Sequence, residues 1–429
     1  MHRRAPTPLS ISALLSAWIG SGTAFAQGQL WTVGGPGADF FNIQSAVDAA
    51  GSGDVILVNG GQYLGFAVDG KGLAIVEQAG ADVLVRDGGG LSRVANLPAG
   101  ETVLLRGLAF ETNPFSGFSG WEVFGPSLTV ENNAGEVRLE DCELTVGHPC
   151  LAVAASSVAL SGCSLTGGSG GFDGNSTYFP SPAVEIAGGS VYLYDGQVTG
   201  GRGRDAFFLN PGVTLGPQAG EPGVVLEGGL LFAGGSDITG GRGGDGLQDV
   251  FQFCIGPSPG GSALWLKTGA PAVWASGSTA AAGEPGTILG TCPPAPGVPA
   301  IELSSGSYAV LPGSPAGLDA GPPVQEGDGI AVAVQGSPQE LALLAYDFGT
   351  GGLFSPALGG ALLLAPTFEL LFLGPVSAAG TAAVSGTAGT LPPGVEQLVL
   401  HLQAATCDPV LGQCQPGAAG SLVILEATP

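Results

Sequence analysis

Over much of the chain, apolar and polar positions alternate in runs of four or five, and glycine, proline or asparagine separates the runs. Asp54-Val55-Ile56-Leu57-Val58 is a nearly unbroken apolar run followed by Asn59-Gly60-Gly61. This is the pattern of a short buried strand closed by a turn. Just upstream, Phe41, Ile43, Ala46, Val47 and Ala50 fall at helical spacing, with Gly51 and Gly53 behind them. That spacing predicts one short amphipathic helix stopped by glycine.

The alternation also repeats. Val137-Arg138-Leu139-Glu140-Asp141-Cys142-Glu143-Leu144-Thr145 is echoed by Val158-Ala159-Leu160-Ser161-Gly162-Cys163-Ser164-Leu165-Thr166. It returns over Val191 to Thr199 and over Leu230 to Thr239. The first step is about 21 residues, the length of one solenoid coil. The step from Leu193 to Phe232 is about twice that, so an insertion interrupts a coil. A coil cannot bury its own apolar face, so each needs a stacked neighbour. Alternation puts Val137, Leu139, Leu160 and Leu193 inside, and Arg138, Glu140, Tyr192 and Tyr194 outside.

From Gly286 to Gly327 the chain is rich in proline and glycine, and we read it as a last coil and a linker. Seven short strand patterns follow: Gly329–Gln335, Glu340–Tyr346, Ala361–Leu364, Glu369–Leu373, Ala382–Ser385, Gln397–Gln403 and Ser421–Glu426. About 100 residues with some seven strands predicts a β-sandwich. The fold expected is all-β. A stacked β-solenoid that opens on the short helix is expected over residues 27–325, and a small β-sandwich over 326–429; the family resemblance given below implies that the solenoid is a right-handed parallel β-helix with the helix as its N-terminal cap.

Composition sharpens this reading. Gly 78 and Pro 33 warn of low complexity, but 44% hydrophobic residues exclude a disordered chain. Only 11% of residues are charged, too few for the polar faces of a helix bundle. The net charge of −24 excludes nucleic-acid partners, since no Lys/Arg cluster occurs after residue 4.

Residues 1–26 carry Arg3 and Arg4, an apolar stretch from Leu9 to Ile19, and Ala24-Phe25-Ala26. These are the three parts of an export signal peptide cleaved near Ala26. The apolar stretch is too short to span a bilayer, and no later run qualifies. The mature chain is expected outside the cytoplasm, extracellular or in the cell envelope. Loss of Arg3 and Arg4 leaves nine basic residues against 35 acidic ones, a net of −26. Seven cysteines in an exported chain suggest disulfides and one odd thiol. Cys407 and Cys414 bracket a short loop and are expected to pair; Cys254 and Cys292 are the only cysteines of their stretch, which makes them a second candidate pair. Cys142, Cys150 and Cys163 form a trio with one left over. A zinc site is not expected, because no C-x-x-C spacing occurs and histidine is scarce.

The string F-x-x-I-Q-x-A-V-D-A-A-x-x-G-D-V-I-x-V-x-x-G-x-Y, from Phe40 to Tyr63, resembles the start of pectin-lyase-like right-handed parallel β-helix proteins. The resemblance implies a helix that caps the open end of the solenoid and shields its strand edges. The second unit resembles a C-terminal module of secreted bacterial proteins, through Leu400-His401-Leu402-Gln403-Ala404 and Ser421-Leu422-Val423-Ile424. Hydrolases of the β-helix class carry N-x-D, D-D and G-H-G strings, and pectin methylesterases a D-F-I-F-G string; this chain has none of them.

Three groups carry candidate chemistry. Glu140, Asp141 and Arg138, beside Glu136 and Glu143, are the best acid/base cluster, with an ion-paired solvated strand as the plainer account. Segments 200–207 and 240–247 both fit G-G-x-G-x-D-x-apolar, the calcium β-roll unit, which makes Asp205 and Asp245 candidate calcium ligands. Arg202 and Arg242 offer the plainer reading, a glycine turn with arginine paired to aspartate. No cofactor beyond calcium is suggested. Tyr192 and Tyr194, with Phe118 and Trp121 in the loop 113–121, are candidate sugar-stacking rings. The expected function is a secreted non-catalytic protein, glycan-binding or part of the cell envelope, whose partner is a polysaccharide or an envelope component. The alternative is a polysaccharide lyase or glycoside hydrolase with its site on the outer groove.

Overall fold

The structure is a computed structural model. It describes residues 28–87, 92–112, 125–172, 177–210, 213–248, 254–269, 271–288 and 292–427. Residues 1–26, read above as an export signal, and Phe118 and Trp121 lie outside the described residues.

Three long parallel sheets run side by side. A ten-stranded sheet begins at Leu30–Val33 and ends at Ser307–Leu311. Two eight-stranded sheets run from Gly61–Leu64 to Thr279–Ala281 and from Ala67–Asp69 to Ile301–Leu303. One coil visits all three in turn: Glu136–Glu140, Glu143–Thr145 and Leu151–Ala154, before Ser157–Ser161 starts the next. This is the expected parallel β-helix. Branched aliphatic residues stack in register, as in Ile56, Ile75, Leu105, Leu139, Leu160 and Leu193, one per coil. All six are at most 1% exposed and belong to one continuous core.

The predicted helix spans Ile43–Ala49, and Ile43, Ala46 and Val47 close the end of that core. Asn42 caps it, accepting from the Ser45 amide at 2.8 Å. Phe41 was expected on the apolar face. It precedes the cap instead and stands 91% exposed, because an extended Asn42 turns the chain before the helix begins.

The C-terminal part is a sandwich with its own core of Ile330, Val332, Val334, Leu344, Leu402 and Ile424. Its sheets have three and five strands, with a Thr350–Ser355/Gly360–Leu364 hairpin beside them. The sequence pattern missed the first strand of that hairpin. The break between units also falls earlier than 325, since Gly317–Asp319 already pairs with Gly329–Gln335.

The sandwich lies on the outer face of the ten-stranded sheet. The reason is a second in-register column, pointing away from the solenoid core: Val55, Ala74, Leu104, Arg138, Ala159, Tyr192, Phe232 and Trp274. Seven of its eight members are apolar or aromatic, and a sheet face of that kind requires cover. Val423, Leu425, Ala361, Leu363 and Phe354 supply it. Each apolar side chain fully buried there contributes roughly 1.5–3 kcal/mol.

Cys254–Cys292 and Cys407–Cys414 are disulfides, as expected. Cys142, Cys150 and Cys163 are all unpaired and buried, so no pair forms within that trio. Cys142 and Cys163 hold adjacent coil positions inside the solenoid, where each thiol donates to carbonyls of its own and the preceding coil.

Candidate ligand-binding surface

Glu136, Arg138 and Glu140 of the acid/base cluster do not face solvent. Arg138 is 1% exposed, and its Nε donates to Glu136 Oε1 at 2.9 Å. Its guanidinium also donates to the Leu363 carbonyl of the sandwich. Glu140 accepts from the Ser421 amide at 3.0 Å and from its hydroxyl at 2.7 Å. Arg106 Nη1 donates to the Ser421 carbonyl at 2.6 Å. Burial pushes the carboxyls of Glu136 and Glu140 up, against the pull of the neighbouring arginines. The expectation of an exposed outer strand is therefore corrected: it is a charged seam sealed between the two units.

One triplet in that seam has the residue types of a hydrolytic triad. His401 Nδ1 lies 3.0 Å from Ser421 Oγ, which bonds Glu140. The order is wrong for nucleophile activation, because the hydroxyl sits between acid and imidazole rather than the imidazole between acid and hydroxyl. All three residues are at most 5% exposed, so no substrate reaches them. Burial, and then the charge of Arg138, hold His401 well below its usual range and neutral. The triplet acts as a tie between units.

Of the cluster Glu143 and Asp141 are exposed, and Asp141 is the member that reaches a cleft. With Glu77, Arg106 and Asp319 it lines a cleft of about 410 Å³ along the seam. Burial raises the Asp141 carboxyl, while Arg106, 3.8 Å away, lowers it. Tyr192 and Tyr194 are likewise under the sandwich rather than on a free face. Tyr194 Oη donates to the Ala361 carbonyl at 3.1 Å, and its ring packs on Phe232. Burial pushes its phenol up.

The glycine segments differ from their sequence reading. At 167–170, 200–206, 240–246 and 282–287 the chain leaves the corner between the two eight-stranded sheets in extended arms that are not strands. Glycines 200, 203, 240, 243 and 246 keep a period of three, and none of them has a left-handed backbone. Outbound and return segments stack in two layers joined by amide–carbonyl bonds. They run from Gly201 to Ser181 (2.9 Å), Glu221 to Gly201 (3.0 Å), Gly241 to Glu221 (2.7 Å), Gly261 to Gly241 (2.8 Å) and Gly283 to Gly261 (2.8 Å). Three-residue periodicity with bonds only to neighbouring chains is the behaviour of stacked polyproline II strands. The glycines serve close approach: a Cβ on Gly241 would lie 2.0 Å from the Gly201 carbonyl oxygen. The arms thus form a blade standing off the solenoid.

Asp205 and Asp245 sit on this blade, 40 residues apart in sequence and one coil apart in space. Asp205 binds Arg202 at 2.7 Å, and Asp245 binds Arg242. Asp205 Oδ1 also takes the Asp245 amide at 2.8 Å, and Asp245 Oδ1 the Thr287 amide at 2.6 Å. Burial alone would raise the Asp245 carboxyl; bonds from Arg242 and Thr287 bring it down to about 2. Both carboxylates are engaged by arginine and backbone. Among the described residues no group of three or more His, Cys, Asp or Glu could hold a metal ion.

Towards the tips, the arms end in small hairpins, and between the first two lies a cleft of about 350 Å³. Phe172 and Phe207 line it, their rings 5.0 Å apart. Arg204 lies 5.6 Å over the Phe207 ring and donates to the Gly216 carbonyl at 2.8 Å. Six of the seven described arginines have a carboxylate within ion-pair distance, and Arg204 has none among the described residues. Sequence reading missed these rings because the glycine pattern around them pointed to calcium.

No family model matches this chain, and no curated protein or solved structure matches it.

Proposed function

We propose that the chain is a secreted, non-catalytic β-helix protein that holds a glycan at the tip of its blade. The observation that carries this reading is the Phe172/Phe207 cleft with Arg204 over its ring. Aromatic faces stack on the apolar faces of sugars, and arginine donates to hydroxyls from a fixed plane. The blade supports the reading physically, since its backbone-to-backbone packing presents the rings on a rigid mount. The seam supports it as well: Glu140 and Arg138, the candidate acid/base pair, are spent on holding the two units together. The export segment and the resemblance to pectin-lyase-like β-helices support a place outside the cytoplasm. The test is a native gel cast with a panel of polysaccharides and then stained for polysaccharide. We expect a retarded band with intact stain, and Phe207→Ala to weaken retardation by about tenfold, roughly 1.4 kcal/mol. Free migration in every lane overturns the proposal.

A second reading is a polysaccharide lyase or hydrolase. One observation favours it: Asp141 and Glu77, two carboxyls raised by burial, line the seam cleft beside Arg106. A cleared zone around the band, lost in Asp141→Asn, would establish it in place of the first.

A further inference from the structure

The last arm differs from the others in a way that the glycan reading does not use. Its return segment, 292–300, reads Cys-Pro-Pro-Ala-Pro-Gly-Val-Pro-Ala. Proline fixes its own φ, and each residue before a proline is confined to extended or polyproline II backbone. Between Cys292 and Pro299, Gly297 alone escapes both restrictions, and its backbone is not left-handed. Local physics therefore sets this segment as a polyproline II helix, with three residues per turn. Pro293, Pro296 and Pro299 recur at that period, share one side and are all exposed. Lacking N–H groups, they offer no donor to a further arm, so the blade ends here and this edge stays uncovered.

Both ends of the ridge are tied down. Cys292 is bonded to Cys254 of the preceding arm. The Ala300 carbonyl accepts from the amides of Ala263 and Leu264, at 2.8 and 3.1 Å. A tethered ridge has already lost the freedom that a free proline-rich peptide gives up on binding. Charge narrows the partner. No Asp, Glu, Lys or Arg occurs between Glu284 and Glu302, in a chain with 35 acidic residues. The ridge thus presents a neutral, apolar, donor-poor surface. Its Ala295-Pro296 and Val298-Pro299 pairs sit one turn apart.

We infer that this ridge is a docking surface for a protein with an aromatic-lined groove, of the kind that receives polyproline II segments. The groove's rings would pack on Pro296 and Pro299, and its own donors would meet the carbonyls that the prolines leave open.

The experiment titrates the full chain into three isotope-labelled probe modules: an SH3, a WW and an EVH1 domain. Amide shifts are followed by NMR. We expect saturable shifts confined to the aromatic groove of at least one module. The Pro296→Ala/Pro299→Ala double variant should weaken that binding by about tenfold, roughly 1.4 kcal/mol. An unchanged thermal melt and an intact Cys254–Cys292 bond show that the variant is folded; if either fails, the two single variants replace it. Three results overturn the inference: no groove shift in any module, shifts outside the grooves only, or equal binding by the variants. Concentration-dependent self-association that the double variant abolishes also overturns it, by assigning the ridge to a second copy. Glycan retardation on the native gel is independent of all these outcomes.

Discussion

The solenoid carries a second layer in two places, and the two layers are built on opposite principles. Over the ten-stranded sheet the sandwich packs side chain against side chain: Phe354 on Phe232 and Trp274, and Val423 on the Val55 column. At the opposite corner the arms pack backbone against backbone, with glycines so close that no Cβ fits. The first layer tolerates an arginine–glutamate pair and a histidine, provided each finds a partner. The second puts glycine where its segments touch and leaves its charged groups at the rim, where Arg202 and Arg242 meet Asp205 and Asp245 in water. Side-chain packing draws on the hydrophobic effect. Backbone packing draws on dense dispersion contacts and on amide bonds that would otherwise be made to water.

Breaking the second layer should give the largest effect. Gly241→Leu forces a side chain into space occupied by the Gly201 carbonyl, whose oxygen is 2.0 Å from the would-be Cβ. The obstacle is the Gly200–Gly201 backbone rather than a movable side chain, so relaxation requires the arms to part. We expect a loss of roughly 4 kcal/mol or more, in the range reserved for overpacking with no escape. Urea unfolding of the full chain measures it. Gly216→Leu, in a return segment and with nothing within 4 Å of its would-be Cβ, is the matched control. It should stay within about 0.5 kcal/mol. Equal effects at the two positions would mean that the arms do not pack as a lattice.

These two layers were unequally legible in the sequence. The inner columns were readable because β-branched and leucine positions alternate strictly, as at Val137 and Leu139, and the period of two has a single structural meaning. The outward column used the same alternation, yet Arg138, Glu140 and two tyrosines drew attention as chemistry. The apolar members of that column, Val55, Ala74, Leu104, Phe232 and Trp274, are scattered over some 220 residues. Only the coil register assembles them into one face that demands a cover. In the arms the residues were noticed and their meaning was missed. G-G-x-G-x-D matches a calcium turn locally, whereas the decisive signal is glycine at every third position opposite proline-rich returns. A backbone lattice leaves no apolar periodicity for the eye to find. The arm-tip cleft inherits this opacity, since Phe172 and Phe207 lie 35 residues apart and meet only because two arms stack.

Breaking the first layer tests its dependence on paired charge. Arg138→Ala leaves Glu136 buried at 4% exposure with its partner gone, and frees the Leu363 carbonyl. Removal of one member of a buried pair costs about 3 kcal/mol or more. Replacing both, as Arg138→Met with Glu136→Gln, should recover much of that loss, because the column around them is already apolar. A double-mutant cycle by urea unfolding distinguishes the cases. If the double variant is as unstable as the single one, the ion pair is doing something other than satisfying itself.

The smallest effect separates the layers by pH. His401 is buried and neutral, with its proton affinity held well below the usual value of 6.5. In the unfolded chain it binds a proton near that value, so the unfolded state takes up more protons as the pH falls. The stability that neutral His401 contributes is therefore present above about pH 6.5 and lost below it, by up to about 1.4 kcal/mol per pH unit. Glu136 and Glu140 act in the opposite sense. Their raised values favour the folded state in acid, and that contribution is lost as the pH rises through them. His401→Asn should thus carry its largest penalty above pH 6.5, and the penalty should shrink toward pH 5. A penalty that stays constant with pH would place the imidazole's role in packing alone.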